Sequence, residues 1–473
     1  MNVYAQQRVT VMGLGREGLA VARFLGRHGA RVTVSDARSP AQLASQLAHL
    51  DGLDVCLSLG GHNADAILAC DLLVLSPGID KRLPVIREAV RCGIPITSET
   101  ELFLQSCHAP TIGITGTSGK TTTTTLLGEM LRQGQATSMA HPVFVGGNIG
   151  RPLIERLDEI TPESWVVLEL SSFQLEWLRI SPTVAVVTNI APNHLNRHAT
   201  MDAYIAAKAQ ILAHQKESDL AVVNHDDPIV AALGRQARGR MLSFGLTAPC
   251  PLCDGAFLEG EALVLVQDGR RMVLCQRNEL RVRGQHNVAN ALAAACVATQ
   301  FGIVPQMIAR TIRGFTGVAH RYQPIATIGN VTYIDDSIAT SPDRTRVALA
   351  TGRQPAILIL GGRDKELSWA CLAQEAVRRC RGVVLIGEAA PLIRRHIEAS
   401  LALAGRNVLL DSSMILDAGD MGVAVALAAT MAKPGDVVIL APGCASYDMY
   451  ANYEERGVAF LREVDKLVAK LAF

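Results

Sequence analysis

The sequence has no excess of charge of either sign. With 45 lysines and arginines against 44 aspartates and glutamates in 473 residues, no net field recruits nucleic acid or an anionic membrane. It has no apolar run approaching the ~20 residues of a membrane span, and its start, Met-Asn-Val-Tyr-Ala-Gln-Gln-Arg8, has neither the basic nor the apolar region of a signal peptide. The expectation is a cytoplasmic protein with no nucleic-acid partner and no membrane insertion, acting as a monomer. A second cysteine pair to match Cys250-Pro-Leu-Cys253 is also missing. Only Cys275 and Cys296 lie nearby, which disfavours structural zinc. The odd total of 11 cysteines argues for reduced, buried thiols, with Cys250 and Cys253 as ordinary surface-loop residues. No internal repeat or low-complexity tract interrupts the chain.

What is present is core material, 49% hydrophobic residues, in a chain long enough for two to four domains. Its organising stretch is Gly113-Ile-Thr-Gly-Thr-Ser-Gly-Lys-Thr-Thr122. An apolar strand reaches a glycine turn, a lysine and the threonines of a helix predicted over 121–130. Gly116 and Gly119 allow successive N–H groups to converge on an anion, Lys120 adds a point charge, and the helix start favours phosphate. Only two residues separate Gly116 from Gly119, where the common phosphate loop has four, so the match is to a shortened relative.

Before this stretch, short β-rich runs alternate with helical patterns: Arg8-Val-Thr-Val-Met, Arg31-Val-Thr-Val-Ser-Asp36, Leu53 to Leu59, Asp71 to Gly78 and Ile94-Pro-Ile. The alternation predicts a parallel sheet wrapped by helices. Gly13-Leu-Gly15-Arg-Glu-Gly18 followed by Asp36 is by itself a dinucleotide fingerprint, which makes an NAD-dependent oxidoreductase the competing reading, although a UDP-linked sugar satisfies the same geometry. After the phosphate loop come a glycine cluster holding Asn148, a strand ending in Glu169-Leu-Ser171, a loop with His194 and His198, and a helix from Met201 to Leu212. Met201, Ile205 and Leu212 place Lys208 inside the apolar stripe of that helix. Either its stem packs and its amine snorkels to solvent, the commoner outcome, or the amine is buried, neutral and nucleophilic near the active site. A helix from Ala291 to Gln300 is preceded by Asn287 and Asn290 on one face, of which capping explains one. A third α/β unit has strands ending at Gly362, Gly387 and Gly443, with polar groups on its carboxyl rim.

These motifs, in this order, resemble the Mur ligases of peptidoglycan synthesis: Gly116 through Thr122, Gly146-Gly-Asn-Ile-Gly150, Glu169-Leu-Ser-Ser-Phe-Gln-Leu-Glu176, Asn193-His-Leu-Asn-Arg-His198, Tyr204 through Lys208, His286 through Asn290, His320-Arg321, Asp336 through Thr340, Leu360 through Lys365, and Cys444 through Arg456. The resemblance implies an α/β protein of three domains: a Rossmann-like UDP-binding domain over 1–107, a P-loop ATPase-like domain over 108–317 and a Rossmann-like amino-acid-binding domain over 318–473 that closes to deliver the amino acid. It implies ATP, two Mg2+ ions, and the joining of D-glutamate to UDP-N-acetylmuramoyl-L-alanine through an acyl phosphate. A sibling ligase, a folylpolyglutamate synthase and a non-enzymatic nucleotide-binding regulator are the other readings.

Carried over residue by residue, Gly116, Thr117, Ser118, Gly119, Lys120, Thr121 and Thr122 with Asn290, Arg321 and Asp336 resemble the ATP site. Lys120, His194 and Lys208 resemble the catalytic set. Thr121, Glu169, His194 and Lys208, the last as a carbamate, resemble metal ligands. Asn148 and Ser171 resemble contacts to the muramoyl substrate, with Arg16, Glu17, Arg38 and Gly78 at uridine-domain positions, and Thr340, Lys365, Ser446 and Tyr453 match the D-glutamate pocket. The chain departs from the family at Asn193 and Asn196, where many members carry aspartate, at Ile338, where many carry lysine, and at Tyr453, where phenylalanine is usual.

Overall fold

The computed structural model describes residues 4–134, 141–250, 253–282, 284–352, 354–365, 367–405 and 408–471. Three sheets account for the β-rich runs. The first holds β1 (Arg8–Met12), β2 (Arg31–Asp36), β3 (Val55–Leu59), β4 (Leu72–Leu75) and β5 (Ile96–Thr97), all parallel, in the order 3-2-1-4-5. The chain leaves β1 toward one edge and returns at β4, so the turns after those two strands flank a crevice at the carboxyl rim.

The second sheet runs in the order 14-13-12-11-10-9-6-8-7. It is built from β6 (Thr111–Thr115), β7 (Val143–Gly147), β8 (Trp165–Glu169), β9 (Val184–Val187), β10 (Leu220–Asn224), β11 (Arg240–Gly245), β12 (Gly255–Glu259), β13 (Ala262–Gln267) and β14 (Arg270–Gln276). Strands 6 to 12 are parallel, and an antiparallel meander of β12, β13 and β14 finishes one edge. All five residues of β6 are buried, as a central strand covered on both faces requires. The helix Lys120–Gln133 follows it directly and packs against Gln285–Gln300, whose buried alanines allow close approach. Both helices begin earlier than their sequence pattern suggests. The cap of the second is Gly284, with no side-chain cap bond, so capping accounts for neither Asn287 nor Asn290.

These two sheets lie in one compact unit, Met1–Phe315, and the third lies in another, Thr316–Phe473. The third sheet has the order 15-16-20-17-18-19, with β15 (Gln323–Ile328), β16 (Val331–Asp335), β17 (Ala356–Gly361), β18 (Cys380–Ile386), β19 (Ile415–Asp417) and β20 (Val437–Leu440), parallel except at β15. Its carboxyl rim is tied together by Arg456, which is 1% exposed. The guanidinium donates to the carbonyls of Ser337 at 3.0 Å, Cys444 at 3.1 Å, Ala445 at 3.3 Å and Gly361 at 3.5 Å. Burial lowers its pKa to about 10, so it stays charged at neutral pH. Arg456→Ala leaves buried carbonyls unpaired and a void behind them, and we expect a loss of about 3 kcal/mol or more, read by denaturant unfolding.

The cysteines depart from expectation. Cys250 and Cys253 form a disulfide, their Cα atoms lying 5.4 Å apart, within bonding reach. Of the free thiols, Cys70, Cys275, Cys296, Cys380 and Cys444 are buried, but Cys56, Cys92 and Cys371 are exposed. Among the described residues no helix is long and apolar enough to cross a membrane.

Candidate functional site

The site grows from the turn after β6. Gly119 has φ 82°, a left-handed angle that favours glycine, and a Cβ there would collide with Asn290 Oδ1. A Cβ on Gly116 would strike Thr188 Oγ1. The turn is held open from below by the end of β9: Thr117 N donates to Asn189 O at 2.8 Å, Ser118 N to Asn189 Oδ1 at 2.9 Å, and Thr188 Oγ1 to Ser118 O at 2.7 Å. Asn290, 5% exposed, accepts from Thr123 Oγ1 at 3.4 Å. It also donates to Asn287 at 3.4 Å, so it joins the two helices close to Gly119, which replaces the capping explanation. Thr121 is buried at the start of the helix.

Two amines meet at one carbonyl. Lys120 Nζ donates to Gly116 O at 2.8 Å and to Thr117 O at 3.1 Å, and Lys208 Nζ donates to the same Gly116 O at 2.8 Å. Lys208 is 1% exposed, so the snorkelling arrangement does not occur. The helix Met201–Ala213 lays this face against β6, leaving the amine no route to water. Burial, reinforced by the charge of Lys120 and opposed by Glu169, lowers its pKa to about 7. Tyr204, one turn earlier, puts its ring 4.8 Å from the amine and its hydroxyl 3.1 Å from Thr117 Oγ1.

Glu169 ends β8 at 2% exposure. One oxygen accepts from Asn148 Nδ2 at 2.7 Å, while Oε2 is buried with no hydrogen-bond partner. An orphaned carboxylate oxygen beside a phosphate loop fits a cation. Among the described residues no three of His, Cys, Asp and Glu already converge as a metal cage, so the remaining ligands would have to come from the Thr121 hydroxyl, substrate phosphates, water or a modified Lys208. His194 has φ 54°, is exposed, and sets its ring edge against Phe173 at 5.2 Å. His198 is instead buried, stacked on Phe173 and bonded to Ser172 Oγ at 2.9 Å. Burial lowers its pKa. The side chains of Leu195 and Asn196 lie outside the described residues.

Ser171 caps the short helix Ser172–Leu175 in a capping box with Gln174. Gln174 Nε2 donates to Glu17 Oε1 at 2.9 Å, linking the two sheets. Arg16 donates to Gly150 O at 2.9 Å and Gly147 O at 3.2 Å. Asp36 is fully engaged: Oδ2 accepts from Leu14 N at 2.7 Å and Arg38 at 2.8 Å, and Oδ1 accepts from Arg38 N and Nε at 2.9 and 3.0 Å. The upward push of burial is outweighed by Arg38, and its pKa falls to about 2. Its four acceptor positions are taken, leaving none for the ribose hydroxyl that the dinucleotide reading needs.

Glu17 and Glu99 are both buried. Burial raises Glu17 to about 7, and burial together with the charge of Glu17 raises Glu99 to about 8. The unfolded chain ionises both near 4.5, so the folded chain binds more protons between pH 4.5 and about 8. The stability they confer is full below that window and falls as pH rises through it. We expect the thermal midpoint to drop from pH 5 to 8, and Glu99→Gln to remove roughly one proton's worth of that slope, as followed by scanning calorimetry.

In the second unit the carboxyl rim brings several candidate residues together. Lys365 Nζ donates to Thr340 Oγ1 at 3.0 Å, and Ser446 is buried after β20. Asp336, buried after β16, accepts from Tyr322 N at 2.9 Å. Burial raises its pKa to about 7, with Arg321 opposing. Tyr453 lies 6.5 Å from the His320 ring. Ile338 contributes its carbonyl, which accepts from Arg344 at 3.2 Å.

Sequence reasoning left Tyr204, Asn189 and Gln174 without a role. Tyr204 alone had a signal, since four residues before Lys208 is one helical turn.

Three family models match consecutive stretches of the chain: the Mur ligase MurD-like N-terminal domain over 7–98, the Mur ligase middle domain over 114–298 and the Mur ligase glutamate ligase domain over 320–444. A UDP-N-acetylmuramoylalanine–D-glutamate ligase of Pelotomaculum thermopropionicum is 41% identical over 458 residues, covering 97% of each chain. One of Symbiobacterium thermophilum is 40% identical over 466 residues, covering 98% of this chain and 99% of its own. Among solved structures, a UDP-N-acetylmuramate–alanine ligase of Thermotoga maritima superposes with a TM-score of 0.53 at 20% identity, covering 98% of this chain and all of its own, a likeness of fold.

Proposed function

The chain belongs to the Mur ligase family, and on that footing we propose that it joins D-glutamate to UDP-N-acetylmuramoyl-L-alanine with consumption of ATP, in peptidoglycan precursor synthesis. The observation that carries the reading is the meeting of Lys120 and Lys208 on Gly116 O, with the buried Glu169 carboxylate acting on Lys208. Such a site concentrates charge where a phosphoryl group is transferred.

The γ-phosphoryl of ATP passes to the L-alanyl carboxylate, giving an acyl phosphate and ADP. The D-glutamate amine then attacks the acyl carbon. The bond to the phosphate oxygen breaks, phosphate leaves with the electron pair, and the new amide nitrogen gives its proton to water. The turn from Gly116 to Thr122 holds the nucleotide phosphates, with Lys120 neutralising their charge. Asn290, Arg321 and Asp336 complete the nucleotide contacts. Magnesium, when bound, neutralises phosphate charge, and we assign two ions to Thr121, Glu169, His194 and a carbamate on Lys208. A neutral Lys208 amine attacks CO2 and releases a proton, which turns an awkwardly buried cation into an anion.

Asn148, Ser171, Gly78, Arg16, Glu17 and Arg38 are assigned to the side of the nucleotide-sugar acceptor, the two arginines through the loops they brace. Thr340, Lys365, Ser446 and Tyr453 are assigned to D-glutamate. The domain division at 107 and 317 belongs to the same proposal. Mass spectrometry of the nucleotide product tests it: one added glutamate residue from the D enantiomer is expected, and addition of a different amino acid would move the chain to a sibling step.

A further inference from the structure

Resting on that reading, we propose that Arg197 is a positioning residue for the acceptor: it fastens the turn after β4 to the loop after β9 and thereby shapes the diphosphate site. Arg197 lies within the motif Asn193 to His198, but nothing in the sequence marks its contacts, since its partners lie about 120 residues earlier. Arg197 NH2 donates to Gly78 O at 3.3 Å and, more weakly, to Pro77 O at 3.5 Å. Its guanidinium lies 5.3 Å from the centre of the Phe173 ring, so three loops meet at one cation: the turn after β4, the segment after β8 that carries Phe173, and the loop after β9. The side chain is exposed, which leaves it open to a ligand at the rim.

The chemistry of the contact suits an anionic acceptor. The carbonyls of Pro77 and Gly78 are the negative ends of the turn, and an arginine covering them cancels that charge and adds a full positive one. The Arg197 charge also reaches this loop's acid, helping Arg82 hold Asp80 in its ionised form. A second tie runs alongside: Lys81 pairs with Glu176 and lies 5.0 Å from the centre of the Trp177 ring. The turn is thus held at two points, by the loop after β9 and by the segment after β8. Phe173 meets the edge of His194 as well, so the ring that supports Arg197 also places the histidine assigned to the reacting end. Arg16 makes the converse contact, from the start of the helix Arg16–Arg27 that follows β1 onto the carbonyls of Gly147 and Gly150. Each sheet lends an arginine to the other's loop.

The test is steady-state kinetics of Arg197→Ala and Phe173→Leu with each substrate varied in turn, together with calorimetric titration of UDP-N-acetylmuramoyl-L-alanine into the wild-type chain and both variants. For Arg197→Ala the KM for the nucleotide-sugar acceptor, and its Kd, should rise at least ~10-fold, the scale of losing charge-assisted hydrogen bonds. The KM values for ATP and D-glutamate should change much less, and the loss should fall on KM more than on kcat. Phe173→Leu should move the acceptor Kd in the same direction. An acceptor Kd within twofold of wild type in Arg197→Ala, or an equal rise in all three KM values, would overturn the proposal. Failure of the wild-type chain to bind the acceptor would instead overturn the functional reading beneath it.

Discussion

Lys120→Ala is expected to slow turnover by at least ~10²-fold, the scale of removing one preorganised electrostatic stabiliser. Lys120 is the ammonium that folds back over the phosphate turn, and its bonds to Gly116 O and Thr117 O hold it in place before any phosphate arrives. Such a charge needs no reorganisation during the reaction, and this is the source of its leverage. The turn itself should survive the change, because Asn189 and Thr188 support it independently. Stopped or quenched assays of phosphate release give the number. A variant with near-normal turnover would show that the turn has no part in phosphoryl transfer.

Lys208→Met should separate stability from activity. A buried ammonium costs folding free energy, and replacing it with an apolar side chain of similar length is often neutral or stabilising. Gly116 O keeps its bond from Lys120, so the exchange leaves no carbonyl stranded. We therefore expect an unchanged or higher thermal midpoint together with a fall in turnover of ~10² or more. Labelled 13C-bicarbonate should give a carbamate signal in the wild-type protein that is absent from Lys208→Met. A variant that is destabilised yet turns over normally would reduce Lys208 to a packing residue.

Much of this was legible in the sequence because the signals are local. The glycines, lysine and threonines from Gly116 to Thr122 occupy consecutive positions, and the strand-to-turn rhythm places Glu169 at a strand end. Lys208 stands out by interrupting an apolar stripe, but periodicity along one helix cannot say how deep that face is buried, and the burial that excludes snorkelling comes from β6, on another segment. Asn290 reads as one of two capping candidates, whereas it bonds both Asn287 and Thr123, the latter on another helix more than 160 residues away. Arg16, Arg38 and Arg197 illustrate the remaining gap. Arg16 and Arg197 spend their guanidinia on distant carbonyls, and Arg38 adds the Leu14 carbonyl to its local pairing with Asp36; side chain to backbone contacts leave no pattern of residue types to read. The dinucleotide fingerprint fails for the same reason: Gly13 to Gly18 is present as written, but Arg38 and the Leu14 amide have already filled the acid it depends on.

The most direct test of the central claim is phosphate release from ATP and magnesium, with UDP-N-acetylmuramoyl-L-alanine and D-glutamate supplied singly and together. Release that requires both substrates is the predicted result. Release with neither, or none under any combination, would contradict the assignment of the phosphate turn, Lys208 and Glu169 to this ligation.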